Sequence, residues 1–474
     1  AKSLLSKGYK VHGIVRRNSV CENQTARLDE VFDDITLHYG DTTDMSSILR
    51  ILDKSQPTEV YNLAAQSHVR ISFDEPIYTT EVVAVGTLNM LEATRNSDVK
   101  FYHSFSDALA ENKNIDGAVI ATPPSTHFEI AKKCLEMKEN GYQPDLILAH
   151  PGWGEGFLLK EVWSDVKIIN YFEFYYNTRD SDVDFDLKES NRPDYGFELT
   201  TKLIARNAPF LSAFNQSDMM IAPTNFQKDT APEEYKNKIK VIHDGVDTDI
   251  LKANEKASIS LTPVNTSNAE TQEQIILTKK DKVIAFVNRN LEPYRGYHIF
   301  MRSLPDIIKK HPDAYILIIG GDGVSYGATP KKGTYKDIFF NEIVNDIPKD
   351  NKIKFLGYVP YNILLNIFCI ADVHVYFTYP FVLSWSMLES MSLEGLIVGS
   401  KTPPVEEVIK HKENGLLVDF FDTKNLSKTI INILDNPESY KNLRKNARDT
   451  IVENYDLKTK CLPEQLKIVQ EILK

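Results

Sequence analysis

The sequence is poor in the residues that build metal centres, covalent cross-links and membrane spans. Of 474 residues only four are cysteine: Cys21, Cys134, Cys369 and Cys461. They stand far apart, which excludes zinc-site spacings and a disulfide framework and leads us to expect reduced thiols in a cytoplasmic protein. No uncharged run reaches the roughly 20 residues that a membrane helix needs, so no transmembrane segment is expected and membrane association would be peripheral. Positive charge is in deficit, 55 Lys and Arg against 66 Asp and Glu, for a net charge of -11. A general nucleic-acid binder would show a basic face, so no nucleic-acid partner is expected. Two signatures of dinucleotide chemistry are also missing. No Gly-x-Gly-x-x-Gly occurs, and no Tyr is followed four residues later by Lys. The chain opens on Ala1 rather than Met and carries no signal-peptide pattern, so a start upstream is expected.

What remains is an ordinary soluble composition, 42% hydrophobic and 26% charged, long enough for three domains or two large ones. Strand and helix signals alternate throughout, which predicts an α/β protein built on parallel sheets. The most informative stretch is Ala371 to Ser400. Val373, Val375 and Phe377 alternate as a buried strand, Tyr379-Pro380 stops it, and Trp385, Leu388 and Met391 recur at helical spacing with Glu389 among them. A helix that opens at the carboxyl end of a parallel strand aims its free N–H groups at the crevice there, which suits a phosphate. Upstream, the strand Val283 to Val287 runs into Arg289, with Arg295-Gly296 shortly after. Two fixed cations facing a helix N-terminus, at Ser384-Trp385, make a clamp for a diphosphate, with Glu389 set for a ribose hydroxyl. Gly320, Gly321 and Gly323 end another strand, where small residues let a base or ribose lie against backbone.

These pieces resemble the carboxyl-terminal domain of group 1 glycosyltransferases, which have the GT-B fold of two Rossmann-like domains facing a cleft. Further matches are VIHDGVDTDIL (Val241 to Leu251), YILIIGGDG (Tyr315 to Gly323) and VEEVIKHKENGLLVDFFD (Val405 to Asp422). The resemblance begins near Gly141, where QPDLILAHPGWGEGFLLKEVW gives a strand, a Gly-rich turn and a helix. It implies a retaining transferase with a nucleotide-diphosphate sugar as donor and no required cofactor or bound metal. Arg289 and Arg295 would grip the diphosphate, Glu389 is the late acidic residue, and His150 would face the donor sugar. The family usually has two Glu eight positions apart, and Phe381 stands where the first should be.

The amino-terminal text differs. GYKVHGIVRRNS, LHYGDTTDMSSILRIL and EVYNLAAQSHVRISFDEPIYTTEVVAVGTLNMLEA resemble the front half of GDP-mannose 4,6-dehydratase, an extended short-chain dehydrogenase. That resemblance implies Arg16 and Arg17 at a 2′-phosphate of NADP, Asp41 at the adenine, and Leu63 to Ala65 along the cofactor backbone. Its first strand and glycine-rich turn fall before residue 1 and its Tyr-x-x-x-Lys is absent, so these are read as vestigial positions without tight NAD(P) binding. FSDALAENKNIDGAVIATPPSTHFEIAKKCLEM, from Phe105, resembles a fragment of the Gfo/Idh/MocA oxidoreductases, with His127 following a cap at Ser125 or Thr126.

The expected organisation is therefore a dehydratase-like fragment over 1–103, an oxidoreductase-like fragment over 104–140, part of a glycosyltransferase first domain over 141–250, a linker over 251–280 and a nucleotide-sugar domain over 281–474. The first domain would be a composite, either one continuous parallel sheet or a poorly closed one. RDSDVDFDLKESNRPD, with Asp180, Asp182, Asp184 and Asp186, lacks the Gly and closing Glu of a calcium loop and reads as a solvated acidic loop. Three functions stay open. The first is a glycosyltransferase using a UDP- or GDP-sugar and a carbohydrate or lipid-linked acceptor, in polysaccharide or glycoconjugate biosynthesis. The second is a dehydratase-like NAD(P)-dependent nucleotide-sugar enzyme. The third is a non-catalytic nucleotide-binding chimera.

Overall fold

A computed structural model describes residues 5, 8–15, 29–57, 134–135, 137–139, 141–153, 158–189, 196–261 and 274–474. The chain divides into two compact units, 1–118 and 119–474. In the first unit, β1 (His12–Val15) pairs in parallel with β2 (Thr36–Tyr39). The helix Met45–Ser55 follows, with Asp44 as its cap accepting from the Ser46 N–H and with Ile48, Ile51 and Leu52 buried at helical spacing. The rest of the dehydratase-like fragment, residues 58–103, lies outside the described residues.

The second unit holds two parallel sheets. The smaller has the order β3 (Leu146–Ala149), β4 (Lys167–Tyr171), β5 (Met219–Ala222) and β6 (Ile239–Val241). The long helix Phe197–Gln216 crosses between β4 and β5, with Pro209 inside it. Next comes an antiparallel pair, β7 (Ser258–Leu261) and β8 (Ile275–Thr278). This corrects the expected linker over 251–280. The Ser, Thr, Asn and Gln of that stretch mask the alternation of Ile259 and Leu277, which are buried against the second sheet's core.

The larger sheet consists of β9 (Val283–Asn290), β10 (Tyr315–Gly321), β11 (Ile353–Gly357), β12 (Val373–Tyr376), β13 (Ile397–Ser400) and β14 (Leu416–Val418). Its order is β11-β10-β9-β12-β13-β14, and every pairing is parallel. Side chains alternate across it. Ile284, Phe286, Ile316 and Ile318 enter one hydrophobic core, and Val283, Ala285, Val287, Leu317 and Ile319 enter another. Two cores on opposite faces of one sheet are what unbroken β-branched runs require, because a sheet apolar on both sides must be covered on both. The carboxyl ends of β9, β10, β12 and β13 therefore share one edge.

The two sheets are tied together at several points. Asp182 and Asp186 are 3% and 5% exposed, so the expectation of a solvated acidic loop is corrected for these two. The Tyr294 hydroxyl donates to Asp182 at 2.6 Å, and the Tyr379 hydroxyl donates to Asp186 at 3.0 Å. His298 lies 3.0 Å from the same Asp186 oxygen. Buried carboxylates persist only with such partners, and the partners lie far away in sequence. Arg302 bridges Glu189 and Glu342, at 2.7 Å to each. From the other side, Glu407 accepts from the backbone N–H groups of Asn225 and Phe226 at 2.7 and 2.9 Å, capping the helix Asn225–Thr230 across the cleft.

The chain's last helix, Leu462–Ile472, returns to the smaller sheet. Its Ile468 packs with Ile169, Ile221 and Ile242. Asp456 anchors this return, accepting from Thr248 Oγ1 at 2.5 Å and from Thr459 N and Oγ1 at 2.7 Å. Burial alone would raise the Asp456 carboxyl, but these hydrogen bonds outweigh it and hold it down at about 2. A depressed acid stabilises the fold above the ordinary aspartate value of about 3.9 and loses that contribution as pH falls through the folded value. Asp456→Asn should therefore lower unfolding stability by about 1–3 kcal/mol at neutral pH. In chemical denaturation, the gap to wild type should close between about pH 4 and pH 2.

Candidate functional site

The carboxyl edge of the larger sheet is organised around Arg295. β9 ends at Asn290, and the turn Pro293–Arg295 carries the chain back towards β12. Gly296 closes that turn with φ +69°, and a Cβ there would overlap the Phe377 side chain. Only glycine satisfies both demands, so Arg295 is followed by Gly for a reason internal to the fold. Arg295 is 5% exposed. Its Nη1 donates to Thr378 Oγ1 and to the Val382 carbonyl, each at 2.8 Å. Thr378 is itself pinned: its N–H donates to Ser400 Oγ at 3.1 Å, and its carbonyl accepts from Thr402 Oγ1 at 3.2 Å. The rings of Tyr326 and Phe381 wall the guanidinium, with centroids 5.1 and 5.9 Å from Cζ. Arg289 is exposed on β9, and no hydrogen bond or ion pair to a described residue engages it. The sequence thus locates Arg295 beside the segment that leads into the helix Trp385–Ser392, while no contact joins the two arginines.

That helix begins as the residues dictate, with Ser384 as N-cap. The Ser384 N–H is not free for a ligand, because it donates to the Tyr376 hydroxyl at 2.6 Å. Trp385 is largely exposed. Glu389 is half-buried and accepts from the Tyr361 hydroxyl at 2.6 Å. Burial pushes its carboxyl above the ordinary glutamate range, and the Tyr361 bond opposes this. Tyr361 was not legible as a site residue, since its helix, Tyr361–Ile370, lies outside every spaced motif.

The glycines at the end of β10 answer to the protein's own packing. A Cβ on Gly320, whose φ is +148°, would come within 2.7 Å of the Asn288 carbonyl, and one on Gly321 would overlap the Tyr358 hydroxyl. The space expected for a base or ribose at Gly321 is thus held by Tyr358, which donates to Asn290 Oδ1 at 3.1 Å. Phe381, in place of the expected Glu, is buried and packs edge-on to Phe174 at 4.8 Å across the cleft. An aromatic seam thus stands where the family usually has its first Glu.

The facing wall belongs to the smaller sheet. His150 follows β3, its ring stacks on Tyr171 at 5.5 Å, and its Nε2 lies 3.5 Å from Glu173. Tyr171 donates to Asp244 at 3.0 Å, and burial followed by the Asp244 charge raises its hydroxyl. Burial lowers the neighbouring His243 ring, against the opposing charges of Asp244 and Glu407. Tyr171, Glu173, Gln227 and Asp244 line a cavity of about 80 Å³ that Val382 and Trp385 close from the other side. Val382 is the residue whose carbonyl holds Arg295, so grip and cavity adjoin.

Of the dehydratase-like positions, Arg16 and Arg17 lie outside the described residues. Asp41 folds back on its own turn, accepting from Thr43 N at 3.0 Å and Thr43 Oγ1 at 2.8 Å. Gly154 and Gly156 of the Gly-rich turn, and His127, also lie outside the described residues.

Comparison with known proteins finds three family models along the chain. Residues 1–109 match the family model GDP-mannose 4,6 dehydratase, residues 103–251 the Glycosyl transferase family 4 group, and residues 267–450 the Glycosyl transferases group 1. The family 4 match begins well before Gly141, where the wording alone starts it. GDP-mannose 4,6 dehydratase 2 of Caenorhabditis elegans is 46% identical over 122 residues, 23% of this chain and 31% of that one. The chain spans about a third to a half of the length of the curated relatives it matches. Among solved structures, sucrose-phosphate synthase of Thermosynechococcus elongatus superposes with a TM-score of 0.52 at 18% identity, over 75% of this chain and 81% of that one. Anabaena Alr3699/HepE in complex with UDP-glucose gives 0.50 at 13%, over 97% and 99%. At these identities the likeness shows the fold, which is GT-B. The chain is thus similar to glycosyl transferases group 1 over 267–450, to the family 4 group over 103–251 and to GDP-mannose 4,6 dehydratase over 1–109.

The Glu389–Tyr361 pair yields a direct test. In a carboxyl-resolved NMR titration, Glu389 should titrate above the ordinary glutamate value of about 4.3. Tyr361→Phe should move its midpoint further up, because the bond it removes favours the ionised form. A midpoint unchanged by that substitution would mean that the contact does not form.

Proposed function

We propose that the glycosyl transferases group 1 domain holds a UDP- or GDP-sugar by its diphosphate at Arg295 and Arg289, and that the chain transfers the sugar to a hydroxyl of a carbohydrate or lipid-linked acceptor. The observation that carries the reading is the state of Arg295. It is a buried cation held through one nitrogen, with no bond from Nε or Nη2 to a described residue, beside the segment that opens a helix at the carboxyl edge of a parallel sheet. Breaking the bond between the sugar and the diphosphate builds negative charge on the leaving oxygen. A guanidinium already fixed at that point stabilises the charge without reorganising. Arg289, exposed and without a hydrogen-bond or ion-pair partner among the described residues, supplies a second cation from the same strand end. Glu389 accepts from a ribose hydroxyl, and His150, steadied by Tyr171 and Glu173, meets the donor sugar from the opposite wall.

The group 1 resemblance further supports a retaining course. The bond from the anomeric carbon to the leaving phosphate breaks and the bond to the acceptor oxygen forms on the same face. The acceptor proton passes to a phosphate oxygen, so no separate base is required. The UDP-glucose of the Anabaena complex supports a nucleotide sugar as the donor class. A small-molecule site usually spans several hundred Å³, whereas the cavity here is about 80 Å³. Donor entry therefore involves parting the walls tied by Asp182, Asp186 and Glu407.

Calorimetry tests the grip. Each hydrogen bond to a charged group contributes about 1.5–3 kcal/mol, so Arg295→Ala should weaken UDP or GDP binding roughly ten- to a hundredfold. Glu389→Gln should weaken it less, since a neutral acceptor remains. Equal affinities for wild type and Arg295→Ala would overturn the assignment.

A further inference from the structure

Glu292 stands three residues before Arg295 and has 0% exposure, an unusual situation for a carboxylate. It forms no ion pair with Arg295. Its carboxylate instead sits in a ring of three consecutive backbone amides on the loop that follows β10. Ser325 N donates to both oxygens at 3.1 Å, and Tyr326 N and Gly327 N donate to Oε2 at 3.2 and 3.3 Å. Successive amides converging on one point form an anion nest of the kind that holds phosphates, and here the chain's own side chain fills it.

Two more bonds fasten the same loop. Asn290 Nδ2 donates to Ser325 Oγ at 2.7 Å, and the Tyr335 hydroxyl donates to the Ala328 carbonyl at 2.7 Å. The middle residue of the nest, Tyr326, lays its ring 5.1 Å from the Arg295 Cζ and 4.9 Å from the Phe381 ring. The Glu292 carbonyl also accepts the Arg295 N–H at 3.2 Å. One residue therefore fixes Arg295 from two directions, through the turn backbone and through the wall that the loop presents. Burial raises the Glu292 carboxyl, and the three amides, followed by the charge of Arg295, partly offset this. The amides are what allow a charged side chain to remain in so dry a place.

We propose that Glu292 is a positioning residue for the donor site: by filling the amide nest at 325–327 it holds the Tyr326 ring against Arg295 and so orients the guanidinium towards the diphosphate. A second consequence follows. The nest is occupied from within, so the donor's phosphates are directed to the arginines and not to this loop. The proposal rests on the donor-grip reading for its functional meaning, but the relay from Glu292 to Arg295 stands on geometry alone.

The test combines affinity with structure. In calorimetry with UDP and GDP, Glu292→Gln keeps the size of the side chain but sets an amide N–H₂ against backbone donors. It should weaken binding about tenfold, the loss of one charge-assisted contact. In an Arg295→Ala background the same substitution should have almost no further effect, because coupled residues are non-additive. Tyr326→Phe, which keeps the ring, should bind as wild type does, and Tyr326→Ala should match Glu292→Gln. Tyr326→Ala also serves as the test variant if Glu292→Gln does not fold. Additive losses, or no loss from either variant, would overturn the relay. If Arg295→Ala itself leaves affinity unchanged, the donor-grip reading fails, and a crystal structure of Glu292→Gln decides the relay. Arg295 displaced from Thr378 and Val382 would support it, and Arg295 unmoved would refute it.

Discussion

A guanidinium cannot be buried at the edge of a sheet without acceptors placed for it, and most of the second unit can be read as the provision of those acceptors for Arg295. Thr378 and the Val382 carbonyl receive its Nη1. Thr378 is held by Ser400 and Thr402, so the exits of β12 and β13 are locked together beneath the charge. Gly296 lets the turn press against Phe377, and Glu292 secures the loop whose Tyr326 covers the other side. A charge this constrained loses little entropy on meeting a ligand, which is how preorganised sites gain strength.

Closure of the cleft uses the neighbours of the same residues. Tyr294 adjoins Arg295 and reaches Asp182, and Tyr379 adjoins Thr378 and reaches Asp186. Burial would raise the Asp186 carboxyl, but His298 and Tyr379 outweigh it and keep the group below the ordinary aspartate range. The acidic loop of the smaller sheet thus takes its hydrogen bonds from residues next to Arg295 and Thr378 on the larger one. Any movement that opens the cleft breaks bonds to residues next in sequence to Arg295 and Thr378.

Legibility in the sequence followed the range of the interactions. β9, β10 and β12 were plain because unbroken apolar runs bury both faces of a sheet. β14 was missed because three residues carry no periodicity. β7 and β8 were hidden by polar neighbours. The aspartates looked solvated because what buries them is distant: Tyr379 and Asp186 are separated by 193 positions. Arg295, Gly296 and Glu389 stand out in the sequence as a spaced motif, whereas the contacts of Tyr361, Glu173 and Asp244 do not, since each is made with a partner brought in by the fold. Gly320 and Gly321 show the converse. Their motif was correctly seen, but the close approach they permit is made by Asn288 and Tyr358.

Nucleotide recognition is proposed to reside in the group 1 domain and not in the dehydratase-like fragment. Hydrogen exchange read by mass spectrometry, with UDP, GDP and NADP each added in turn, tests this most directly. UDP or GDP should protect the segments around Arg289 to Gly296 and Val382 to Glu389, with NADP leaving the whole chain unchanged. Protection by NADP around residues 8–57, with neither nucleoside diphosphate altering the group 1 segments, would contradict it.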